Sequence, residues 1–242
     1  MPPTQKFAIL KAQKITKSGK IVIAIDGPAA SGKSTTARLV ARRLGYLHLD
    51  TGAMYRAMTL RMLREGIRLD REDEVARVAR DTDIVLARSK DGNRVFLQGE
   101  DVTEEIRMPE VTQHVSTVSS YPAVRAVLVQ QQRKLAENGG VVLEGRDIGT
   151  VVFPDADLKI FMVADVAERA RRRKEDLRRS GVEIGEDEVV REISERDRKD
   201  SSRETSPLRR AEDALELDTS NLSIEEQVEF IVQAAGEILR KK

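Results

Sequence analysis

The sequence predicts an α/β fold in three layers, with a five-stranded parallel sheet between helices and a small antiparallel β-containing insert. Three observations predict it. Five short apolar runs alternate with helical patterns, which is typical of strands buried on both faces of a parallel sheet. Two β-type runs interrupt this alternation within residues 83–103. A loop containing glycines follows the first strand and leads directly into a helix.

The composition excludes several classes of protein. The 242 residues carry a net charge of +1, which argues against a general nucleic-acid binder. There is no cysteine, so disulfides, thiolate metal sites and cysteine nucleophiles are excluded. The two histidines, His48 and His114, lie far apart in sequence, which argues against a histidine-based zinc site. No apolar run approaches about 18 residues, so we expect no membrane span.

Residues 1–20 are predicted to be a poorly ordered N-terminal extension, and residues 21–242 a single domain. The extension has neither the apolar run nor the cleavage site of a secretory signal, so we expect a cytoplasmic protein. Within the domain, we expect an insert at about residues 66–122.

The strands of the parallel sheet are predicted at residues 21–25, 46–49, 141–143, 158–163 and 215–217. Helices follow the first two strands and end at Gly45 and Gly66, with a short third helix capped by Asp70. The dipeptide Asp91-Gly92 predicts the turn of a hairpin. Further helical patterns follow, the second of which ends at Asn138-Gly139. Two capping pairs, Asp165 with Glu168 and Ser223 with Glu226, predict the starts of later helices.

The segment after the first strand matches G-x-x-x-x-G-K-[ST], a loop whose backbone N–H groups surround a polyphosphate. The strand before it and the helix after it give the context that this motif requires. Lys33 is expected to reach the β and γ phosphates and Ser34 to bind Mg²⁺ directly. The expected ATP-binding residues are Gly27, Pro28, Ala29, Ala30, Ser31, Gly32, Lys33, Ser34 and Thr35.

The segment Asp50 to Arg56 follows the second strand, and Glu144 to Asp147 follows the third. Ligands of open parallel sheets bind at the carboxyl ends of the strands, so these segments and the phosphate loop are expected to converge. Thr51 and Arg56 are candidate ligand contacts, with Arg56 suited to holding a phosphate. The alternative is that Thr51 caps a helix and Arg56 is solvated.

Five segments taken in order resemble the cytidylate (CMP) kinase family of bacteria: GPAASGKST, LDTGAMYRA, GEDVTEEIR, LEGRDIGTVVFPDADLKIF and ERDRKDSSR. The resemblance extends from about residue 21 to the C-terminus. It implies a nucleoside monophosphate kinase of the P-loop class, with a five-stranded core, a mobile helical lid at about residues 166–190 and an insert in the acceptor-binding region.

The resemblance also implies roles for individual residues. The implied CMP-binding residues are Thr51, Arg56, Ser116, Arg125, Arg146, Asp147, Arg196, Asp200 and Arg203. Thr51 stands where many members have serine and retains the hydroxyl. Glu144 stands where some members have aspartate and is expected near Mg²⁺ through water.

Two groups of charged residues keep alternative interpretations. Arg196, Asp200 and Arg203 share one face if their segment is helical, and they form either a phosphate-directed group or a surface ion-pair ladder. The arginine-rich segment around Arg172 and Arg173 is a nucleic-acid-binding face, a solvated helix or a lid over the transferred phosphoryl group. Its place after the fourth strand favours the lid.

We therefore predict ATP- and Mg²⁺-dependent phosphorylation of CMP and dCMP to the diphosphates. The expected catalytic residues are Lys33, Arg146, Arg172, Arg173 and Arg196. The expected partners are the nucleotides alone, with no nucleic acid or membrane, in a monomeric protein. The alternatives are another small-metabolite P-loop kinase, such as shikimate kinase, and a nucleic-acid-associated ATPase.

Overall fold

The structure is a computed structural model that describes residues 19–89, 92–179 and 181–242. The predicted N-terminal extension, except for residues 19 and 20, and Asp91 of the predicted turn lie outside these residues. The strands are β1 (Val22–Asp26), β2 (Leu47–Asp50), β3 (Ile84–Ser89), β4 (Gly92–Leu97), β5 (Glu100–Asp101), β6 (Val141–Gly145), β7 (Leu158–Val163) and β8 (Leu215–Asp218).

The described α-helices are α1 (Lys33–Leu44), α2 (Thr51–Arg64), α3 (Glu72–Arg80), α4 (Pro109–Val118), α5 (Pro122–Ala136), α6 (Val166–Arg179), α7 (Glu186–Ser201) and α8 (Ile224–Lys241). A 3₁₀ turn spans Glu105–Arg107 and a π-helix spans Ile148–Val152. None of the described helices combines the length and the apolar character that a membrane crossing requires.

The chain divides into two compact units. We call Gly19–Asp50 together with Gly139–Lys242 the core unit, and Thr51–Asn138 the insert unit, because it is inserted between the two segments of the core unit.

The core unit contains the predicted parallel sheet, with strand order β2-β6-β1-β7-β8. The central strand β1 pairs with β6, with Asp26 opposite Gly145, and on its other side with β7. Its residues Ile23 and Ile25, and Ile21 directly before it, are fully buried in one cluster that also contains apolar residues of α1 and α8. The five-stranded parallel sheet of the sequence prediction is confirmed.

The predicted capping signals at helix ends in the core unit are confirmed in two cases out of three. Gly45 ends α1 in the left-handed conformation, as expected of a C-cap glycine. Ser223 and Glu226 form the predicted capping box of α8. Helix α6 begins directly after Asp165 as expected, but its predicted capping pair does not form. The Asp165 backbone N–H donates to Ser220, and the Glu168 carboxylate binds arginines of its own helix.

The insert unit combines helices with the predicted antiparallel sheet, whose strand order is β3-β4-β5. Strand β3 pairs with β4 so that Ile84 faces Leu97 and Leu86 faces Val95, and these four side chains are buried. The third strand, β5, is an addition to the predicted hairpin. Gly92, predicted as a turn residue, pairs within the ladder with Ser89.

The start of α3 differs from its prediction. The N-cap position is Arg71, without a side-chain cap, and Asp70 lies one residue earlier. The Asp70 carboxylate accepts hydrogen bonds from Arg68 instead, at 3.1 and 2.6 Å. The arginine two residues away therefore satisfies the carboxylate that the sequence assigned to the helix N-terminus.

Candidate active site

The phosphate-binding loop joins the end of β1 to the start of α1. Gly27 has a φ of 151°, and a Cβ built there would lie 2.1 Å from the Met162 backbone oxygen of β7. Gly32, with a φ of 92°, directly precedes α1. The backbone therefore requires both glycines. Gly27 is required because the loop passes close to β7, and Gly32 because its backbone is in the left-handed conformation.

Lys33 is the first residue of α1, and its side chain folds back over the loop. Its Nζ donates to the Pro28 carbonyl and to Ser31 Oγ, the latter at 3.1 Å. Burial lowers the pKa of Lys33 well below its usual value, and the positive charges of Arg146 and Arg196 lower it further. The ammonium group is therefore held where additional negative charge would be favourable.

Ser34 and Glu144 lie at the carboxyl edge of the sheet, next to the loop. Ser34 Oγ donates to Glu144 Oε2 at 2.6 Å, and Glu144 Oε1 lies 2.9 Å from Nε2 of His48. Burial raises the pKa of Glu144, but the interactions with His48 and Ser34 outweigh it and hold that pKa below its usual value. Glu144 is therefore ionised at neutral pH, and its carboxylate oxygens can act as metal ligands.

This pair fits a Mg²⁺ ion that is shared with a nucleotide. The hydroxyl and the carboxylate are the hard oxygen ligands that Mg²⁺ prefers, and Ser34 lies at the exposed N-terminal turn of α1. Among the described residues, no group of three or more His, Asp or Glu side chains could form a metal site by itself. Mg²⁺ is usually bound by one or two protein oxygens together with phosphates, so the donor set suits it.

Three of the predicted phosphate-site residues meet around one buried carboxylate. Asp200, near the end of α7, is 1% exposed. Its Oδ2 accepts from Arg146 Nε at 2.8 Å, and its Oδ1 accepts from Arg203. Burial raises the pKa of Asp200, but the charges of Arg146, Arg203 and Arg196 outweigh it, so the net shift is downward.

The interpretation as a surface ion-pair ladder is wrong for these residues. Asp200 and Arg203 are almost fully buried, at 2% and 7% side-chain exposure. Arg203 lies beyond the end of α7, so the shared helical face covers only Arg196 and Asp200. Together with Arg146 and Lys33, these residues concentrate positive charge beside the loop, which is the environment that a bound polyphosphate requires.

Asp147 and Asp26 lie beside this cluster, at the ends of their strands. Asp147 follows β6, is 4% exposed and precedes the π-helix. Asp26 ends β1, and its two oxygens accept from the backbone N–H groups of Ile148 and Gly149 at 2.8 and 2.7 Å. Burial raises the pKa of Asp26 to about 6, and the Asp147 charge adds to this shift.

The arginine-rich segment forms α6, which packs against α7 through Ala170, Val189 and Ile193. Arg169, which the sequence did not single out, is 5% exposed and donates to the Ala29 carbonyl of the loop and to Asp197 of α7. Arg169 therefore connects α6 and α7 to the phosphate-binding loop. In the sequence it is one of several neighbouring arginines, and nothing distinguishes it from the others.

The two predicted lid arginines have different surroundings. Arg172 donates to Thr219 through Oγ1 and the backbone oxygen, at 3.0 and 2.6 Å. One of its terminal nitrogens lies 3.4 Å from a Cβ built on Gly32, so this guanidinium is beside the loop. Arg173 instead pairs with Glu192 of α7 at 3.1 Å.

The insert unit brings four further predicted residues onto three helices. Thr51 and Arg56 belong to α2, Ser116 to α4 and Arg125 to α5. Arg56 Nη1 donates to Thr112 Oγ1 at 2.7 Å, and the Arg125 guanidinium lies 5.8 Å from the ring centre of Tyr55. Thr51, Ser116 and Arg125 are buried. The interpretation of Arg56 as a solvated side chain is therefore wrong.

Sequence reasoning missed Asp26 and His48. Asp26 directly precedes the motif, and a carboxylate at the end of an otherwise apolar strand was the available signal. His48 was considered only as a zinc ligand. Its position two residues before the end of β2 was a second signal, because β2 pairs with β6 and brings His48 opposite Val142, near Glu144.

The comparison that decides the family is with the model of the cytidylate kinases, which matches residues 23–237. The chain belongs to the cytidylate kinase family. It is 54% identical over 214 residues to the cytidylate kinase of Caldanaerobacter subterraneus subsp. tengcongensis, a match that covers 88% of this chain and 94% of that enzyme. It is 50% identical over 215 residues to that of Bacillus subtilis, covering 89% and 96%.

A solved structure of an uncharacterized protein from Eubacterium ventriosum resembles the chain with a TM-score of 0.50 and 14% identity. The match covers 90% of this chain and 99% of that one. This likeness concerns the fold alone. The cytidylate kinase relatives confirm the resemblance on which the sequence analysis relied and do not favour the shikimate kinase or nucleic-acid ATPase alternatives.

Proposed function

We propose that this member of the cytidylate kinase family transfers the γ-phosphoryl group of ATP to CMP and dCMP, which gives ADP and the corresponding diphosphate. The observation that carries the proposal is the concentration of positive charge beside the phosphate-binding loop. Burial and the charges of Arg146 and Arg196 disfavour the charged form of Lys33 more than Glu144 and Asp26 favour it, so the ammonium form requires additional negative charge beside the loop. A phosphoryl donor with several anionic oxygens meets that requirement.

On the donor side, the loop from Gly27 to Thr35 binds the triphosphate. Its backbone N–H groups and the N-terminus of α1 face the phosphates, and Lys33 exchanges its contacts with Pro28 and Ser31 for phosphate oxygens. Ser34 would hold Mg²⁺ directly and Glu144 through water. The ion supplies charge neutralisation on the β and γ phosphates. His48 keeps Glu144 oriented for this role.

For the acceptor CMP, we propose the roles that the family resemblance implies for the residues of each unit taken by itself. In the insert unit, Arg56 and Arg125 bind the phosphate, while Thr51 and Ser116 offer hydroxyls to the nucleotide. In the core unit, Asp147 and Asp200 contact the pentose.

Arg146, Arg196 and Arg203 bind phosphoryl oxygens in the core unit. Asp200 orients Arg146 and Arg203, because each of its carboxylate oxygens already receives one of their donors. The two guanidinium groups are thus held in place before a substrate binds.

The transfer itself needs no protein nucleophile or base. An oxygen of the CMP phosphate is already anionic, and it forms the new bond to the γ phosphorus as the bond to the bridging oxygen of ADP breaks. The electron pair of that bond leaves on ADP. Lys33, Arg146 and Arg196 stabilise the charge that moves onto the phosphoryl oxygens. Arg172 and Arg173 of α6 add to this stabilisation when they exchange Thr219 and Glu192 for phosphate.

The test is a coupled ADP-release assay with ATP and a panel of acceptors: CMP, dCMP, UMP, AMP and shikimate. We expect turnover with CMP and dCMP that exceeds turnover with AMP and shikimate by at least about a hundredfold, since missing acceptor contacts remove transition-state binding. Equal turnover across the panel, or release of ADP without any acceptor, would contradict the proposal. Stimulation of ATP hydrolysis by polynucleotide would support the ATPase alternative instead.

A further inference from the structure

Asp26 spans the carboxyl ends of two neighbouring strands. It is the last residue of β1 and directly precedes Gly27, the first residue of the phosphate-binding loop. In the β1–β6 ladder it stands opposite Gly145, yet its side chain reaches past that residue to the N–H groups of Ile148 and Gly149. The side chain is 5% exposed, so these contacts are shielded from water.

The contact satisfies the start of the π-helix. The first N–H groups of a helix have no acceptor within the helix, and a carboxylate is a strong acceptor for them. Later amides do find helical partners, since Val151 and Val152 both donate to the Asp147 carbonyl. Asp26 therefore supplies from another strand the N-terminal cap that no neighbouring side chain provides.

The capped turn carries residues that belong to the proposed site. Arg146 and Asp147 lie between the end of β6 and the first capped amide. A displacement of the turn would move both of them, and it would also move the Arg146 contact with Asp200. Misplacement of a site residue by about 1 Å can cost a hundredfold in rate.

The surroundings of Asp26 do not explain it as an ordinary ion pair. Asp147 lies close enough to oppose its negative charge, while Lys33 favours that charge from the loop. The Lys159 side chain packs against Gly149, but its ammonium group pairs with Asp213 at 2.8–2.9 Å. A buried carboxylate with a like charge nearby is costly, so the two backbone hydrogen bonds are its main compensation.

We propose that Asp26 is a positioning residue, which holds the Arg146–Asp147 turn in register with the phosphate-binding loop through the amides of Ile148 and Gly149. Donor and acceptor contacts are then fixed relative to each other by one carboxylate. This inference rests on the proposed function for its kinetic consequence. Its structural part, the double cap, stands independently of which acceptor is used.

The experiment compares the full-length protein with Asp26→Asn, which keeps the size and loses one acceptor oxygen. Asp213→Asn is the matched control, since it makes the same chemical change at an exposed carboxylate that pairs with Lys159. Amide exchange of residues 148 and 149 is followed by NMR, ATP affinity by calorimetry without acceptor, and kcat and KM for CMP by ADP release.

We expect amide exchange at 148 and 149 to accelerate at least about tenfold in Asp26→Asn, because one of the two hydrogen bonds is lost. We expect kcat/KM for CMP to fall about ten- to a hundredfold, while ATP affinity changes less than about threefold. Asp213→Asn is expected to change none of these. A purely structural role would lower the melting temperature but leave the kinetic constants of the folded protein unchanged.

Three outcomes would overturn the inference. These are unchanged exchange at both amides, unchanged use of CMP, and a loss of ATP affinity as large as the loss for CMP. If Asp26→Asn does not fold, amide exchange in the wild-type protein tests the inference, because unprotected amides at residues 148 and 149 would exclude the cap. If the wild-type protein does not use CMP, the proposed function fails, whereas exchange and ATP affinity still test the cap.

Discussion

Asp200 offers a sharp test of the charge cluster, through Asp200→Asn. The substitution keeps the shape of the side chain but removes the negative charge between Arg146 and Arg203. Breaking a buried ion pair by removing one partner costs about 3–5 kcal/mol. Arg146 retains 18% side-chain exposure, so water can partly compensate and we expect the lower end, about 3 kcal/mol. For a chain of this size, that lowers the melting temperature by roughly 6–12 °C.

The pH dependence of this loss follows from the direction of the pKa shift. The pKa of Asp200 lies below its usual value in the folded protein, since the three arginines outweigh burial. Its contribution to stability is therefore present above the unfolded pKa of about 4 and disappears as the pH falls through the folded pKa. The difference between wild type and variant should be constant from about pH 6 to 8 and shrink below about pH 4.

Thermal unfolding followed by circular dichroism over this pH range is the assay. Glu195→Gln is the matched control, because Glu195 lies on the same helix and pairs with Lys199 at the exposed surface. We expect no measurable change for the control. A melting temperature of Asp200→Asn that equals that of the control at pH 7 would refute the assignment of a buried charge cluster. A loss that persists undiminished in acid would refute the electrostatic explanation.

Three further predictions concern the donor loop, the acceptor site and the buried aspartate. Lys33→Met should lower ADP release with CMP at least about a thousandfold with an equal or higher melting temperature, because a buried ammonium group is lost; near-normal turnover would exclude the role of Lys33. Arg56→Ala should raise the KM for CMP about a hundredfold and that for ATP by less than about threefold, so equal effects would make Arg56 structural. The pKa of Asp26 is raised to about 6 in the folded protein, so its contribution to the free energy of unfolding should decrease as the pH rises from about 4 to 6. In urea unfolding, the free energy of unfolding of the wild type should decrease by about 3 kcal/mol relative to that of Asp26→Asn as the pH rises over this range. An increase of this difference with rising pH would contradict the prediction.

Local sequence signals were sufficient to predict the bounds of strands that consist of an apolar run and the ends of helices that stop at a glycine. β7 is found at its predicted residues, and α1 ends before Gly45 as the left-handed cap requires. The side-chain caps predicted for α3 and α6 were wrong for one reason, although α6 begins directly after Asp165 as expected. Asp70 and Glu168 are both satisfied by nearby arginines, and a chain with 42 basic residues offers many such partners.

The site was predictable where a motif sets the backbone, and less so where partners come from distant segments. Lys33 and Ser34 follow from the loop motif, and Arg146 and Asp200 from the family resemblance. The link between His48 and Glu144 spans 96 residues, and that between Asp26 and Gly149 spans 123. Such contacts depend on strand order, which the sequence leaves open even when every strand is identified.

The close approach of Gly27 to β7 restricts which sequences can support this loop. Because a methyl group at position 27 would overlap a main-chain oxygen of the neighbouring strand, no choice of side chain elsewhere can accommodate it. In a saturation library at this codon, selection for a functional enzyme should return glycine alone. A Cβ built on Gly45 has no atom within 4 Å, so position 45 should admit asparagine as well as glycine. The two glycines are alike in the sequence but should tolerate mutation very differently.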